Sequence, residues 1–531
     1  AGGDVLLRGK GGDATGISGS YYAIGIDMVG YQADANGNTN SLGTSIKTSG
    51  SGTISLNGVG GVNNNANTHA VGINFFENNG GVNTVSTAEG SISLNGSDGS
   101  GNAIEHVGIL NDGGDVSIYS TTGAINISGA GDTATYGFKV DGSTNIGWDG
   151  ATVVTTGDIT INVDDFSFTS SANIKTTGGL IFQSNGNSFV SGGISFPTSY
   201  GSLANTISSL TIGKSANTEN IIIDSDLTIN GPINIYGGYI DINANLTSSA
   251  DGDIYIKSLS SSNPSIDLKI GKTITKSSGE GILTMQANGR VQTKGTISAI
   301  DSGVLDVVLW SDFDNTNDDG GVSHTGDIST NGGNIWMGGS STAEGSLTWN
   351  GLTIGDGPSI GSNGFNWNAL DLFGFITSNG GDVFVWAGDG YSTGFDGVGS
   401  AGATVNTSSG DIIIVTDVIN GTLNQLINLE TTGKLFLAPN GGSFKGNAFN
   451  WNPAFSNDTY EFRSGDFNNL NIQSVSTLGG LILGEYSGTG IGGDSIFDIR
   501  NNSLITLSSN LGINGNIEIY GGAIDVDSNI T

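Results

Sequence analysis

The stretch that decides the fold is LTINGPINIYGGYIDINANLT, Leu227 to Thr247. It returns almost intact further along the chain as LGINGNIEIYGGAIDVDSNIT, Leu511 to Thr531. Each copy reads as two short strands in which Ile, Leu and Val alternate with Asn, Thr, Asp or Glu. A Tyr-Gly-Gly turn separates them, at Tyr236-Gly237-Gly238 in one copy and Tyr520-Gly521-Gly522 in the other. Alternation with a period of two gives each strand one apolar and one polar face. A unit this small cannot bury its apolar face alone, so recurring units have to cover one another, as in quasi-one-dimensional repeat proteins.

The composition supports an ordered, strand-rich chain. Of 531 residues, 91 are Gly, 6 are Pro and none is Cys, yet 36% are hydrophobic and sit in alternating runs between glycines. A disordered low-complexity segment lacks such runs, and no helical period is sustained anywhere. Sixteen Lys and Arg against 49 Asp and Glu give a net charge of −33. The clustered basic residues that nucleic-acid binding needs are missing, and the acidic surface repels copies of itself and tolerates divalent cations. No apolar run is long enough for a transmembrane helix. The lack of Cys suits a bacterial exported protein. Residue 1 is Ala, and the sequence stops inside the second copy of the organising stretch, which leads us to expect a piece of something longer.

Repetition occurs at two scales. TISLNG (Thr53 to Gly58), SISLNG (Ser91 to Gly96), AINISG (Ala124 to Gly129) and DITINV (Asp158 to Val163) place Ile at 54, 92, 125 and 159. Between them runs a second signature: Ile24-Gly25-Ile26, Val71-Gly72-Ile73, Val107-Gly108-Ile109 and Tyr136-Gly137-Phe138. Each such period suits one or two coils of a solenoid. A Gly turn, then Asp or Asn, then a strand recurs at Gly2, Gly113, Thr155, Gly332, Gly380 and Ser409. Glycine supplies the turn conformation, and Asp or Asn is expected to bond its own backbone.

At the long scale, STAEG at Ser86 reappears at Ser341, and TTGGLIFQSNGNSF at Thr176 reappears as TTGKLFLAPNGGSF at Thr431, both offset by 255. At the organising stretch the offset has grown to 284, so extra chain lies between about Phe444 and Leu511. Adding roughly one coil would do this without disturbing the pattern. The expected fold is all-β: one continuous parallel β-solenoid over residues 1–531, an elongated rod, with tandem copies of roughly 1–250 and 251–531. Coils of roughly 20 to 30 residues would stack at about 4.8 Å.

Candidate chemistry is sparse. Asp312-Phe313-Asp314-Asn315-Thr316-Asn317-Asp318-Asp319-Gly320 carries oxygen ligands at its first, third, fifth and seventh positions, as a calcium loop does. It lacks the Gly at position six and the later bidentate Glu, so a solvated acidic loop is the competing reading. Gly488 to Gly493 matches G-x-G-x-x-G but leads into Asp494 to Asp498, which is strand-like, so the dinucleotide reading fails on context. Gly213-Lys214-Ser215 and Gly271-Lys272-Thr273 lack the earlier Gly of a phosphate loop. His69, His106 and His324 have no Ser or Cys partner, and His69 and His106 precede the V-G-I signature, which suggests a shared structural position. Polysaccharide hydrolases and lyases need clustered carboxylates. The adjacent pairs here are Asp164-Asp165 and Asp318-Asp319. Trp310, Trp336, Trp349, Trp367, Trp386 and Trp451 concentrate in the second half, to fill wider coils or to stack on sugars. No catalytic, cofactor-binding or metal-ligating residue is assigned, and structural calcium is the one cofactor held open.

The phrase Val308-Leu309-Trp310-Ser311-Asp312-Phe313-Asp314, with Ser329-Thr330-Asn331-Gly332-Gly333-Asn334-Ile335 after it, resembles the repeat regions of giant filamentous-haemagglutinin-like bacterial adhesins. So do the GGDV turns and INGPINIYGGYIDINANLTSS. The resemblance implies a right-handed β-helix, passage through outer-membrane export machinery of a Gram-negative cell, and a place at the cell surface as a filament or stalk. It implies no enzymatic activity. The expected partners are neighbouring repeats, head-to-tail copies and cell-surface glycans or another cell. An extracellular polysaccharide-degrading β-helix enzyme is the alternative.

Overall fold

The computed structural model describes residues 2–13, 22–29, 32–33, 39–40, 43–64, 69–76, 81–131, 136–152, 154–168, 172–190, 192–197, 202–203, 206–316, 320–360, 369–388, 398–400, 402–421, 427–444, 448–452, 454–456, 459–461, 470–473, 475–486 and 499–531. Among them there is no α-helix, and the strands assemble into long parallel ladders, an all-β solenoid. The chain forms two compact units, Ala1–Gly237 and Gly238–Thr531.

In the first unit one ladder runs through Val5–Lys10, Ile54–Val59, Ile92–Ser97, Ile125–Ala130, Ile159–Val163, Gly179–Gln183, Ser209–Ile212 and Ile233–Gly237. Its register stacks like on like: Val5, Ile54, Ile92, Ile125, Ile159, Leu180, Leu210 and Ile233 share one column. From Ile54 onward these side chains are buried, and each removes about 1.5–3 kcal/mol worth of apolar surface from water. The residues between them face outward and are mostly polar. There the amide of Asn95 donates to Asn57 at 2.8 Å and that of Gln183 to Asn162 at 2.7 Å, forming side-chain ladders.

A second ladder holds Ala23–Val29, His69–Phe76, Glu105–Asn111, Tyr136–Val140 and Phe166–Phe168. A third holds Ser45–Lys47, Val82–Thr87, Asp115–Ser120, Ser143–Ile146, Ala172–Ile174 and Ser202–Leu203. Each period between Ile54, Ile92, Ile125 and Ile159 is therefore one coil with a strand in each of the three ladders, and the first two also carry a short strand, Val62–Asn63 and Ser100–Gly101. Coil length varies more than the sequence suggests, from the short turn between Ile159 and Leu180 to the long one between Val5 and Ile54.

The V-G-I signature has a packing cause. Gly58, Gly96 and Gly129 of the first ladder face Gly72, Gly108 and Gly137 of the second. A Cβ on Gly58 would stand 2.1 Å from the Gly72 carbonyl oxygen, and one on Gly129 would stand 1.9 Å from that of Gly137. The two sheets touch backbone to backbone, which only residues without Cβ allow.

The second unit repeats the plan. Its first ladder comprises Ile254–Ser258, Glu280–Ala287, Val304–Trp310, Ile335–Gly338, Val383–Trp386, Ile412–Val415, Lys434–Ala438, Gly480–Leu483 and Asn516–Ile519. The outward column differs in chemistry. Val308, Trp336, Phe384, Ile413, Phe436 and Ile482 occupy it in register, where the first unit has mostly Ser, Asn and Thr. A hairpin, Ser346–Trp349 paired antiparallel with Leu352–Gly355, covers this face. Its turn is Asn350-Gly351 with both φ positive, 46° and 83°, the backbone that Asn-Gly favours. STAEG thus leads into a ladder strand at Ile92 but into this hairpin at Ser346.

The extra chain of the second copy is not an added coil. Successive rungs Leu180, Leu210 and Ile233 of the first copy answer to Leu435, Leu481 and Ile517 of the second. The offset is 255 at the first of these rungs, 271 at the next and 284 at the last, so two existing coils have each lengthened. The added chain forms antiparallel pieces: Ala454–Ser456 with Thr459–Glu461 in one coil, and Glu485–Tyr486 with Ile499–Arg500 in the next. Hairpins satisfy their own backbone groups, so they extend a coil without disturbing the ladder beneath.

Candidate functional site

Where each coil enters the first ladder, two columns of short polar side chains do the joining. The inner column is buried Ser and Thr. Thr87 donates to the Gly52 carbonyl at 2.8 Å, Ser120 to Gly90 at 2.9 Å and Thr176 to Gly157 at 2.7 Å. The same hydroxyls accept from the amides of Gly90, Gly123 and Gly178 in their own turns. In the second unit Thr431 donates to the Gly410 carbonyl of the preceding coil, whereas Thr330, Ser378 and Thr407 donate to the carbonyls of Gly333, Gly381 and Gly410 in their own turns. There a fully buried lysine, Lys276, takes one place and donates to Ser248 Oγ and to the Ala250 and Gly252 carbonyls.

The outer column is the Asp or Asn of the glycine turns. Its carboxylate or amide oxygen does not fold back on its own backbone; it accepts the amide of the next coil. Asp4 accepts Thr53 N–H at 2.8 Å, and Asp158 accepts Gly179 N–H at 2.7 Å. In the second unit the bonds run in series: Asn334 N–H to Asp306, Asp382 N–H to Asn334, Asp411 N–H to Asp382 and Lys434 N–H to Asp411, at 2.6 to 2.9 Å. Stacking carboxylates has a cost. Burial, then the neighbouring carboxylates, hold the carboxyl groups of Asp306 and Asp411 above the ordinary range. Asp115, from the Gly113 turn, instead opens a strand of the third ladder.

The outer side of the glycine crossing in the first unit carries a titratable cluster. Buried Val71, Val107 and Leu110 form an apolar floor with Ile24 and Tyr136 beside them. Lys139 reaches Glu105 at 2.8 Å and Asp141 at 3.0 Å, His69 Nδ1 lies 3.1 Å from Glu105, and Tyr22 stacks on His69 at 5.0 Å. His69 and His106 do not share a structural position. His69 is in register with Glu105 and His106 with Ala70, so they sit on opposite strand faces, and His106 Nδ1 contacts the Gly99 carbonyl at 3.0 Å.

In the second unit Asp241 and Asp267 are register neighbours, but both grip Lys269, at 3.2 and 2.6 Å. Asp371 is bound to buried Arg290 at 2.7 Å. His324 is fully buried, with Nδ1 2.8 Å from Thr293 Oγ1.

The remaining motifs fall as follows. Asp312 is 1% exposed, whereas Asp314 receives a hydrogen bond from Thr316 at 3.1 Å, and Asn317 to Asp319 lie outside the described residues. Among the described residues no three His, Asp or Glu side chains are placed to share a metal. Gly488 to Asp498 and Trp367 also lie outside the described residues. Lys214 spends its ammonium on the Asn185 and Gly186 carbonyls, and Lys272 lies in a tight turn in which its N–H donates to the Lys269 carbonyl. Asp164 accepts Gly186 N–H, and Asp165 accepts Phe166 N–H. Trp310, Trp336, Trp349, Trp386 and Trp451 are all buried, which places them in cores rather than on a sugar-stacking surface.

The Ser and Thr column escaped sequence reading, although T-x-x-G and S-x-x-G phrases before the turns carry it. No family model, curated protein or solved structure matches this chain.

Proposed function

We propose that this chain is a structural, adhesive segment of a secreted bacterial surface protein, a stalk or filament piece of the filamentous-haemagglutinin-like kind, performing no chemistry itself. The observation that carries this reading is the joining corner. The outer-column bond links successive coils whether a coil is as short as the one from Ile159 to Leu180, where Asp158 accepts Gly179 N–H, or as long as the one from Ile335 to Val383, where Asn334 accepts Asp382 N–H. Stacking is thus specified independently of what each coil carries outside. That logic suits a protein that gains length by duplication. The principal charged clusters support a structural role too, because Lys139, Lys269 and Arg290 are held in ion pairs. Cell-surface glycans and neighbouring repeats are the partners this role calls for.

The test is electron microscopy of the purified chain together with adherence of beads coated with it to host or bacterial cells. Slender rods and saturable adherence are expected. Compact particles, or rods that cleave extracellular polysaccharide, overturn the proposal.

A further inference from the structure

We propose that Asp27, Asn74 and Asp112, on the second ladder of the first unit, bind one divalent cation of the calcium type. Asp27 and Asn74 are register partners on adjacent rungs, and the Asn74 amide donates to Asp27 Oδ1 at 2.9 Å. Asn74 is 4% exposed, and its amide oxygen has no hydrogen-bond partner in the structure. A buried carbonyl oxygen without a donor bears its full desolvation penalty, so such a group calls for a ligand. With the amide nitrogen fixed on Asp27, this oxygen is the other end of the same planar group.

Asp112 stands one rung on: its N–H donates to the Phe75 carbonyl at 2.9 Å, beside Asn74. The Asp27 side chain is exposed on its strand. Among the described residues neither carboxylate forms an ion pair. The nearby cation, Lys139, is taken by Glu105 and Asp141. Two carboxylates and an amide oxygen, all hard donors, are the ligand types calcium takes, with water completing the shell. A net charge of −33 raises the local concentration of divalent cations. This site is separate from the Asp312 loop.

The experiment is thermal unfolding of the full chain in calcium and in EDTA, with terbium luminescence as a second readout. Calcium is expected to raise the midpoint of the first unit by about 3 °C or more. Asp27→Asn and Asp112→Asn should abolish that increment and the terbium signal. Asp314→Asn should leave both intact. Absence of a calcium effect in the wild type overturns the proposal. So does an effect that survives D27N and D112N but disappears in D314N.

Discussion

Trp349 and Tyr486 meet on the ring of Phe384, bringing together two inserted hairpins that reach the same apolar face from different coils. Both residues are buried. Trp349 meets Phe384 edge-on at 5.5 Å, while Tyr486 meets Phe384 at 5.2 Å and Phe436 at 5.4 Å. Burial pushes the Tyr486 phenol up to about 12, so it stays a neutral hydrogen-bonding group. These two insertions thus share one task, covering an outward column that has turned apolar.

Removing that cover should be costly. Trp349→Ala should destabilise the second unit by about 3–5 kcal/mol, the range for deleting a buried aromatic. Tyr486→Phe keeps the ring on Phe384 and Phe436 and should cost no more than about 1 kcal/mol. Urea unfolding followed by tryptophan fluorescence measures both, and equal losses would show that the phenol hydroxyl rather than ring packing dominates.

The glycine crossing makes a sharp prediction about single methyl groups. Gly96→Ala puts a Cβ 2.1 Å from the Gly108 carbonyl oxygen, and rigid backbone on both sides cannot yield. A loss of about 3 kcal/mol or more is expected. Gly3→Ala, with nothing within 4 Å, should be nearly neutral. Circular dichroism melts of the two variants decide the matter.

The carboxylate column should respond to pH in a defined direction. Because the folded-state pKa of Asp411 lies above its unfolded value, its stabilising contribution is present below the unfolded value and is lost as pH rises through the folded one. Asp411→Asn keeps an acceptor for Lys434 N–H and removes the repulsion from Asp382. It should therefore be more stable than wild type at pH 7 and indistinguishable from it at about pH 3. Asp411→Ala, which leaves that amide without its partner, should lose about 1–3 kcal/mol at either pH. Denaturant midpoints at the two pH values check the sign.

His324 works in the opposite sense. Burial pushes its pKa down to about 4, so the folded chain binds fewer protons than the unfolded chain as pH falls below about 6.5. Stability is fully present above that pH and declines until about pH 4, by about 3 kcal/mol in all. His324→Leu, between Leu372 and Thr293 in register, should flatten this part of the profile. An unchanged acid limb in the variant would assign the loss to other groups.

Much of this was legible from residues alone, and the limits have identifiable causes. The column Ile54, Ile92, Ile125 and Ile159 was visible because side chains in strands alternate strictly, so apolar periodicity and register carry the same information. The recurrence of Gly72, Gly108 and Gly137 was visible too, but not its meaning, since what a missing Cβ permits depends on the strand across from it. The Asp of each glycine turn was recognised as turn chemistry and given the wrong partner. A local bond and a bond to the next coil use the same acceptor, and only the stacking brings Gly179 N–H to Asp158. The Asn350-Gly351 turn between LTW and LTI is a hairpin signal in its own right, yet nothing local shows where that hairpin lies.

By itself the sequence determined the all-β class, the solenoid plan, the stacking of like residues and the acidic, cysteine-free character of the chain. These follow from period-two patterning and composition, which act residue by residue. The tertiary structure alone decided which carboxylates are held by Lys139, Lys269 and Arg290, which tryptophans are core, and how the extra chain of the second copy divides between two coils. Those outcomes depend on contacts between rungs, such as Asp158 with Gly179 or Arg290 with Asp371, and chain order does not encode distance across a coil.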